Sequence, residues 1–281
     1  MPDPKRDYLT LLLNQYWFAP PVALWRAIEL RTLATETFAR PILDLGCGDG
    51  LIAQVLFEGE APVESGFDPW LAQVRKAPAT GVYLRVQQAL GSAMPYPSGI
   101  FGSVLSNSVL EHIPDLDPVL REAARILQPG GRVFFTVPSD AFRRLLSGYQ
   151  DRANTGDAAG AEAYAAGVDA WLEHHRYLSP DMWDAALQRA GLHLIRTAYY
   201  VPPAVMRLWD RSNSRYGVRR GQGNPLYRWL VSPRLRGLGY QRWIRQWVVS
   251  SLSKCWREAY AMDCAPGEAG GGLLVVGEKE S

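Results

Sequence analysis

From residue 41 to residue 138 short apolar runs alternate with amphipathic stretches. Ile42-Leu43-Asp44-Leu45 reads as a buried strand, and Leu51, Ile52, Val55 and Leu56 recur behind it with the spacing of one helical face. Further strands are predicted at Val63 to Asp68, Tyr83 to Ala89 and Phe101 to Asn107, with a helix from about Pro69 to Lys76 between the first two. From Pro114 to Leu127, the residues Leu116, Val119, Leu120, Ala123, Ile126 and Leu127 form one apolar stripe. Gln128-Pro129-Gly130-Gly131 stops that helix, and Arg132 to Pro138 supplies the next strand. Regularity lapses from 139 to 176, where a small-residue tract, NTGDAAGAEAYAAG, can cross the mouth of a site as helix and loop. It returns with a helix capped by Ser179 and opened by Pro180, a strand from His193 to Val201, and a last strand from Gly272 to Glu278. This order predicts an α/β fold, a doubly wound sheet of seven strands with helices on both faces and an inserted helical segment before the last strand. Ligands of such sheets collect at the carboxyl ends of the central strands.

Charge and tryptophan set one segment apart. Residues 201–260 carry twelve Arg or Lys against Asp210 and Glu258, about +10, which leaves the rest of the chain near −8. The same segment holds Trp209, Trp229, Trp243, Trp247 and Trp256. On a helix, Trp243, Ile244, Trp247, Val248, Ser251 and Leu252 share a face that Arg242 and Arg245 leave, a pattern that suits either a cap on the sheet or a surface with anionic headgroups. Cys47, Cys255 and Cys264 form no CxxC pair and no dense disulfide pattern, which fits a reducing, cytoplasmic compartment. The N-terminal stretch MPDPKRDYLTLLLNQYWFAPP lacks a cleavage site and reads as an entry helix, and no run is apolar enough to span a membrane.

The turn after the first strand, Gly46-Cys47-Gly48-Asp49-Gly50, is where the chemistry concentrates. Consecutive glycines allow a sharp turn and leave room for a ligand against the backbone. A dinucleotide pyrophosphate would use the bare N–H groups of the following helix, but Asp44 and Asp49 flank the turn and two carboxylates repel it. They suit an ammonium group. Asp68, at the end of the second strand, can accept both hydrogen bonds of a ribose diol. A ligand with an amino-acid end and a ribose but no phosphate is S-adenosylmethionine.

The motifs ILDLGCGDG, GFDP, SAMPYPSGIFGSVLSNSVLEHIPD and VLREAARILQPGGRVFFTVPS resemble those of class I S-adenosylmethionine-dependent methyltransferases of the small-molecule group. The resemblance covers about residues 38 to 139, then more weakly Leu178 to Tyr200 and Gly272 to Lys279. It implies a Rossmann-like core at 41–200, a helical lid at 1–40 that includes Tyr16, a basic helical insertion or cap at 201–265, and a final core strand at 266–281. It also implies that Asp44, Gly46 and Gly48, with Cys47 and Asp49 in the same loop, hold the methionine portion, that Asp68 holds the ribose, and that Pro69 or Trp70 lies near the adenine. Family members often carry an acid for the adenine amino group where this chain has Leu90, which leaves that contact to the backbone around Ala93 and Met94. Asn107 either faces the methyl donor or satisfies loop backbone.

Methyl transfer from an activated donor needs a base only when the acceptor holds its proton tightly. His112, after the fourth strand, resembles a position near the methyl group, and His174 and His175 can enter from above, while His193 sits on an edge strand. The run Glu173-His174-His175 lacks an HxxxH or Cys partner, so no metal site is expected there. No NPPY-like sequence follows the fourth strand, which disfavours nucleic-acid bases as acceptors. The expectation is methylation of a hydroxyl or carbon on a small or lipid-like acceptor, with residues 201–260 serving either as a cap or as a peripheral contact at the inner face of a membrane. The alternative is a methyltransferase-like scaffold without turnover. Oligomeric state stays open.

Overall fold

The computed structural model describes residues 2–216 and 240–280. Its strands are β1 (Ile42–Leu45), β2 (Ser65–Asp68), β3 (Val86–Gln88), β4 (Phe101–Asn107), β5 (Leu127–Pro138), β6 (Leu192–Tyr200) and β7 (Gly272–Lys279). They form one sheet in the order β3-β2-β1-β4-β5-β7-β6. The first five are parallel, and β7 runs antiparallel between β5 and β6. All four residues of β1, Asp44 among them, are buried, as a central strand of a sheet covered on both faces requires. Strand order reverses between β1 and β4, and the crevice at that reversal is where a ligand fits.

The helices are α1 (Tyr8–Gln15), α2 (Pro20–Leu33), α3 (Leu51–Leu56), α4 (Leu71–Val74), α5 (Asp117–Ile126), α6 (Phe142–Leu145), α7 (Ser147–Asn154), α8 (Ala158–Leu172), α9 (Pro180–Arg189), α10 (Pro203–Tyr216), α11 (Tyr240–Cys255) and α12 (Arg257–Ala261). Single turns of 3-10 helix occupy Ala77–Thr80 and Leu110–His112. Ser179 caps α9 through its hydroxyl and Pro180 opens it, as predicted. Strand β5 begins at Leu127, earlier than expected. The QPGG run is drawn into the strand, whose first residue pairs with Phe101.

The sheet has a core on each face. On one, α5 and α9 cover Leu43, Phe67, Val104 and Phe135, with Leu120 and Trp183 fully enclosed. On the other, Leu105, Phe134 and Val276 meet α1, α2, α10 and α12. The segment expected as a lid is therefore packed into this second core: Tyr8, Leu9, Leu12 and Leu13 of α1 and Leu24 and Ile28 of α2 are wholly buried. The Arg257 guanidinium donates to both oxygens of Asp7, the α1 cap, at 2.8 and 2.9 Å and ties α12 to the chain's start.

The basic segment divides. Trp209 and Trp256 are buried in the same core, whereas Trp243 and Trp247 of α11 are 76% and 70% exposed. The single apolar face predicted for Trp243 to Leu252 is thus split. Helix α11 turns Val249 and Leu252 inward and packs on α1, leaving the two tryptophans, one turn apart, on the outside with Arg242. Trp229, Arg219, Arg220, Arg228, Arg234 and Arg236 lie outside the described residues. Among the described residues no helix is long and apolar enough to cross a membrane.

Candidate active site

A cavity of about 850 Å³ opens at the carboxyl ends of β1, β2 and β4, within the size range of small-molecule sites. The glycine turn forms its floor. Gly46 has φ +77°, and a Cβ there would lie 2.5 Å from Val109, so both backbone and neighbour demand glycine. Gly48 has φ +55° with open space where a Cβ would stand, which leaves its backbone bare toward the cavity. Asp68 is 7% exposed and accepts from the N–H of Gly48 at 3.1 Å and of Trp70 at 2.8 Å. Each of its oxygens keeps lone-pair capacity for a ligand's hydroxyls. Asp44 accepts from the Tyr83 hydroxyl at 2.5 Å. Burial, with Asp68 nearby, pushes the Asp44 carboxyl up to about 6 despite that bond. Asp49 is exposed at the rim and accepts from Leu51 N–H at the start of α3, so it serves the helix and lines the cavity at once.

A smaller compartment of about 140 Å³ adjoins this cavity and shares Arg26, Ser108 and His112 with it. Its apolar lining includes Val22, Trp25, Phe142, Leu172 and Trp209. Trp25 meets Phe142, Tyr200 and Trp209 at ring-centroid distances of 5.8, 5.9 and 5.4 Å, a cluster of tilted and edge-on rings. Among the described residues the buried indole N–H of Trp209 has no partner. We call this compartment the annex.

The wall between the two compartments is a buried polar network. Arg26 donates from Nη1 to Glu29 at 2.7 Å and to Asn107 Oδ1 at 3.0 Å. The Ser108 and Tyr200 hydroxyls donate to the other Glu29 oxygen at 2.7 and 2.9 Å, and Asn107 donates to Thr136 Oγ1 at 2.8 Å. Glu29 has no exposure while a quarter of the Arg26 side chain stays accessible. Burial alone would raise the Glu29 carboxyl, but Arg26 and the hydroxyls around it hold it below the ordinary range. Ser108 sits at φ +49°, a conformation few non-glycine residues adopt, where β4 hands the chain to the annex.

Beside the neck, Glu111, His112 and His174 gather their polar atoms within 4.8 Å of one another. Burial pushes the Glu111 carboxyl up to about 8 and the His174 imidazole down to about 3, and it lowers His112 as well.

Asp44, Gly46, Cys47, Gly48, Asp49, Asp68, Pro69, Asn107 and His112 all line the cavity, as does Trp70 at its rim. Asn107 lines the cavity and its side-chain amide bonds two side chains, Arg26 and Thr136. His174 lines the annex. The others fall elsewhere. Tyr16 closes α1 near Arg26 and Asp49 but is not part of the cavity lining. Ala93 and Met94 are replaced there by Leu90, Gly91 and Ser92, because Glu122 takes the Met94 N–H and Arg125 takes its carbonyl, pinning that stretch against α5. His175 spends its backbone N–H on the Glu111 carbonyl and lines a surface recess beyond the annex. Sequence reasoning missed Arg26, Glu29, Ser108 and the annex aromatics. A signal existed for the first two: in LWRAIEL an acid and a base three apart share an otherwise apolar helix.

A family model described as a methyltransferase domain matches residues 23–197. A ubiquinone biosynthesis O-methyltransferase of Escherichia fergusonii is 32% identical over 103 residues, 35% of this chain and 43% of the relative. The chain thus spans less than half the length of the curated relatives it matches. A methyltransferase structure from Thermotoga maritima superposes with a TM-score of 0.53 at 13% identity, covering 97% of this chain and 100% of that one. The [4+2]-cyclase SpnF gives 0.52 at 16% identity over 92% and 81%. At such identities the likeness is one of fold, and a cyclase in the same company shows that the fold alone does not fix the reaction.

Proposed function

Since the chain belongs to the class I S-adenosylmethionine-dependent methyltransferases, we propose that it methylates a hydroxyl or carbon of a small or lipid-like acceptor seated in the annex. The observation that carries this reading is the neck, where Arg26, Ser108 and His112 line both compartments. The residues present fit the cofactor: Gly48 leaves bare backbone and open space, Asp68 keeps acceptors for a ribose diol, and Asp44 offers a carboxylate for an ammonium group. When bound, the cofactor supplies a methyl group already activated on a sulfonium, so the protein's share is alignment and exclusion of water. Leu90, Gly91 and Ser92 would flank the adenine, with Trp70 at the rim.

The aromatic lining of the annex favours an apolar or aromatic acceptor body, and the unpartnered Trp209 N–H offers a donor for an oxygen on it. The name of the curated relatives, O-methyltransferases of ubiquinone biosynthesis, supports an oxygen acceptor. Calorimetric titration with S-adenosylhomocysteine, alongside Asp68→Ala, tests the cofactor site. Methyl-labelled cofactor incubated with a lipid extract and a phenol panel then tests the acceptor class. Tight binding with no label transferred to either would put the scaffold reading first.

A specific observation supports peripheral membrane contact as well. Trp243 and Trp247 project from α11 beside Arg242, a pairing suited to an anionic interface. Cosedimentation with anionic vesicles, lost in Trp243→Ala/Trp247→Ala and weakened by salt, is the expected result. Equal pelleting of the double variant would reject it.

A further inference from the structure

We infer that Glu111, His112 and His174 form a binding site for one divalent transition-metal ion of the zinc type, at the neck of the annex. The inference rests on the methyltransferase reading only for the ion's role, since the site is argued from this chain's own atoms.

His112 Nδ1 lies 3.0 Å from the Glu173 carbonyl oxygen, which can only accept, so Nδ1 carries the proton and Nε2 a lone pair. His174 Nδ1 lies 3.0 Å from the Tyr177 hydroxyl, and that hydroxyl donates to Asp169 at 2.6 Å. Its oxygen therefore accepts from His174, whose Nε2 is likewise left with a lone pair. Among the described residues neither Nε2 has a hydrogen-bond partner. The third member, Glu111, is 2% exposed, and its sealed Oε2 has no partner. A ring nitrogen of each histidine and a carboxylate oxygen of Glu111 lie within 4.8 Å of one another, with His112 Nε2 at 3.9 Å from Glu111 Oε1. A cation shared among them would hold such a cluster together.

Two imidazole nitrogens and one carboxylate oxygen match the donor set of open zinc sites, which keep a further position for a substrate oxygen. The supporting contacts also match, because metal-binding histidines hold their other N–H on a carbonyl or on a group leading to a carboxylate. Zinc bonds of about 2.0–2.1 Å bring ligand atoms closer than 4.8 Å, so binding draws the three side chains together. The backbone is already fixed for it. Glu173 reverses the chain at φ +59°, and the His175 N–H holds the Glu111 carbonyl at 2.8 Å. The site lines the annex, so an acceptor hydroxyl there would reach the ion's remaining position, where a Lewis acid favours the deprotonated oxygen. The sequence pointed away from a metal because Glu173-His174-His175 has no ligand spacing of its own. The third donor and its neighbour arrive from the loop after β4, and His175 takes no part.

The test is zinc titration of the chelator-stripped full chain, with cobalt absorbance as a second readout. The expected result is one ion per chain, visible cobalt bands of a low-coordinate nitrogen and oxygen site, and affinity reduced more than about 100-fold in both Glu111→Gln and His174→Ala. Tyr177→Phe, which only removes support behind His174, is expected to weaken zinc by about 10- to 100-fold. His193→Ala, on the far edge strand, should leave the stoichiometry at one. S-adenosylhomocysteine binding, measured on each variant, reports that the fold is kept and keeps this inference separable from the cofactor reading. No zinc or cobalt binding by a chain that still binds S-adenosylhomocysteine overturns the inference, as does binding that survives both Glu111→Gln and His174→Ala.

Discussion

The two compartments of the site are built by different means. The larger cavity is built mainly from runs of neighbouring residues in strand-end loops, 44–49, 67–70, 90–92, 107–109 and 112–115, with few single contributions such as Arg26 and Glu173. The annex draws single side chains from distant segments, Val22 and Trp25 from α2, Phe142 from α6, Leu172 from α8 and Trp209 from α10. Backbone geometry in a turn is encoded locally, by glycines at positive φ and by an acid that takes the neighbouring N–H groups. A side-chain compartment exists only after the whole chain has folded. One wall belongs to both, and it is held by the Arg26–Glu29 pair.

The largest effect is expected where the comparison can be broken. Glu29→Ala leaves Arg26 without its buried partner and strips the Ser108 and Tyr200 hydroxyls of their acceptor. Breaking a buried pair in this way costs about 3–5 kcal/mol. A denaturant melt should show a loss of that order, with cofactor and acceptor binding both impaired in the protein that remains folded. A loss below about 1 kcal/mol would mean that the wall is not shared structure. Asp68→Ala comes next and should act on one side only. Removing a charged acceptor of about 1.5–3 kcal/mol per hydrogen bond predicts a roughly 100-fold loss of S-adenosylhomocysteine affinity, and a lowered melt as well, because the Gly48 and Trp70 N–H groups lose the same acceptor.

The same division explains what was legible. Asp44, Gly46, Gly48, Asp68 and Asn107 could be named from the sequence because each stands at the end of a strand whose apolar run marks where it stops. Cavity lining by Leu90, Gly91 and Ser92 in place of the expected Ala93 and Met94 was not legible, because the Glu122 and Arg125 clamp on Met94 comes from α5. The seven strands were legible down to the cap at Ser179, but not that α1 and α2 would enter the core, since an apolar helix face names no partner. Trp243 and Trp247 were read with the wrong neighbours for the same reason: α1 selects which side of α11 is buried. Glu29 left a trace, an acid inside an apolar stripe, whose meaning depends on Tyr200, 171 residues away.

The annex can be addressed alone. Val22 lines it and is 37% exposed, so a large side chain there can fill the compartment without invading the core. Val22→Trp should lower kcat/KM for an acceptor by about tenfold, the order of a single misfitted apolar contact in a pocket. Affinity for S-adenosylhomocysteine should stay within about twofold. A parallel loss of both would show that the annex is a lobe of the cofactor cavity, not a second compartment.

The smallest effect lies in the cavity and concerns sign. The Asp44 carboxyl stands at about 6 in the free protein against an ordinary 3.8, mainly through burial. A raised acid disfavours the folded state when ionised, so its contribution to stability improves as pH falls through about 6 toward 4. Ligand binding runs the other way, because an ammonium group needs the carboxylate and not the acid. With a value near 6 the ionised fraction falls about fourfold between pH 7.5 and 5.5, and S-adenosylhomocysteine affinity should fall by about the same factor. Asp44→Asn should be weaker at pH 7.5, flat between those pH values, and more stable than the parent at pH 7.5 because no charge is buried. Calorimetry at the two pH values, with melts alongside, reads both signs. An affinity that rises as pH falls would place the ammonium group elsewhere in the cavity and return Asp44 to a purely structural bond with Tyr83.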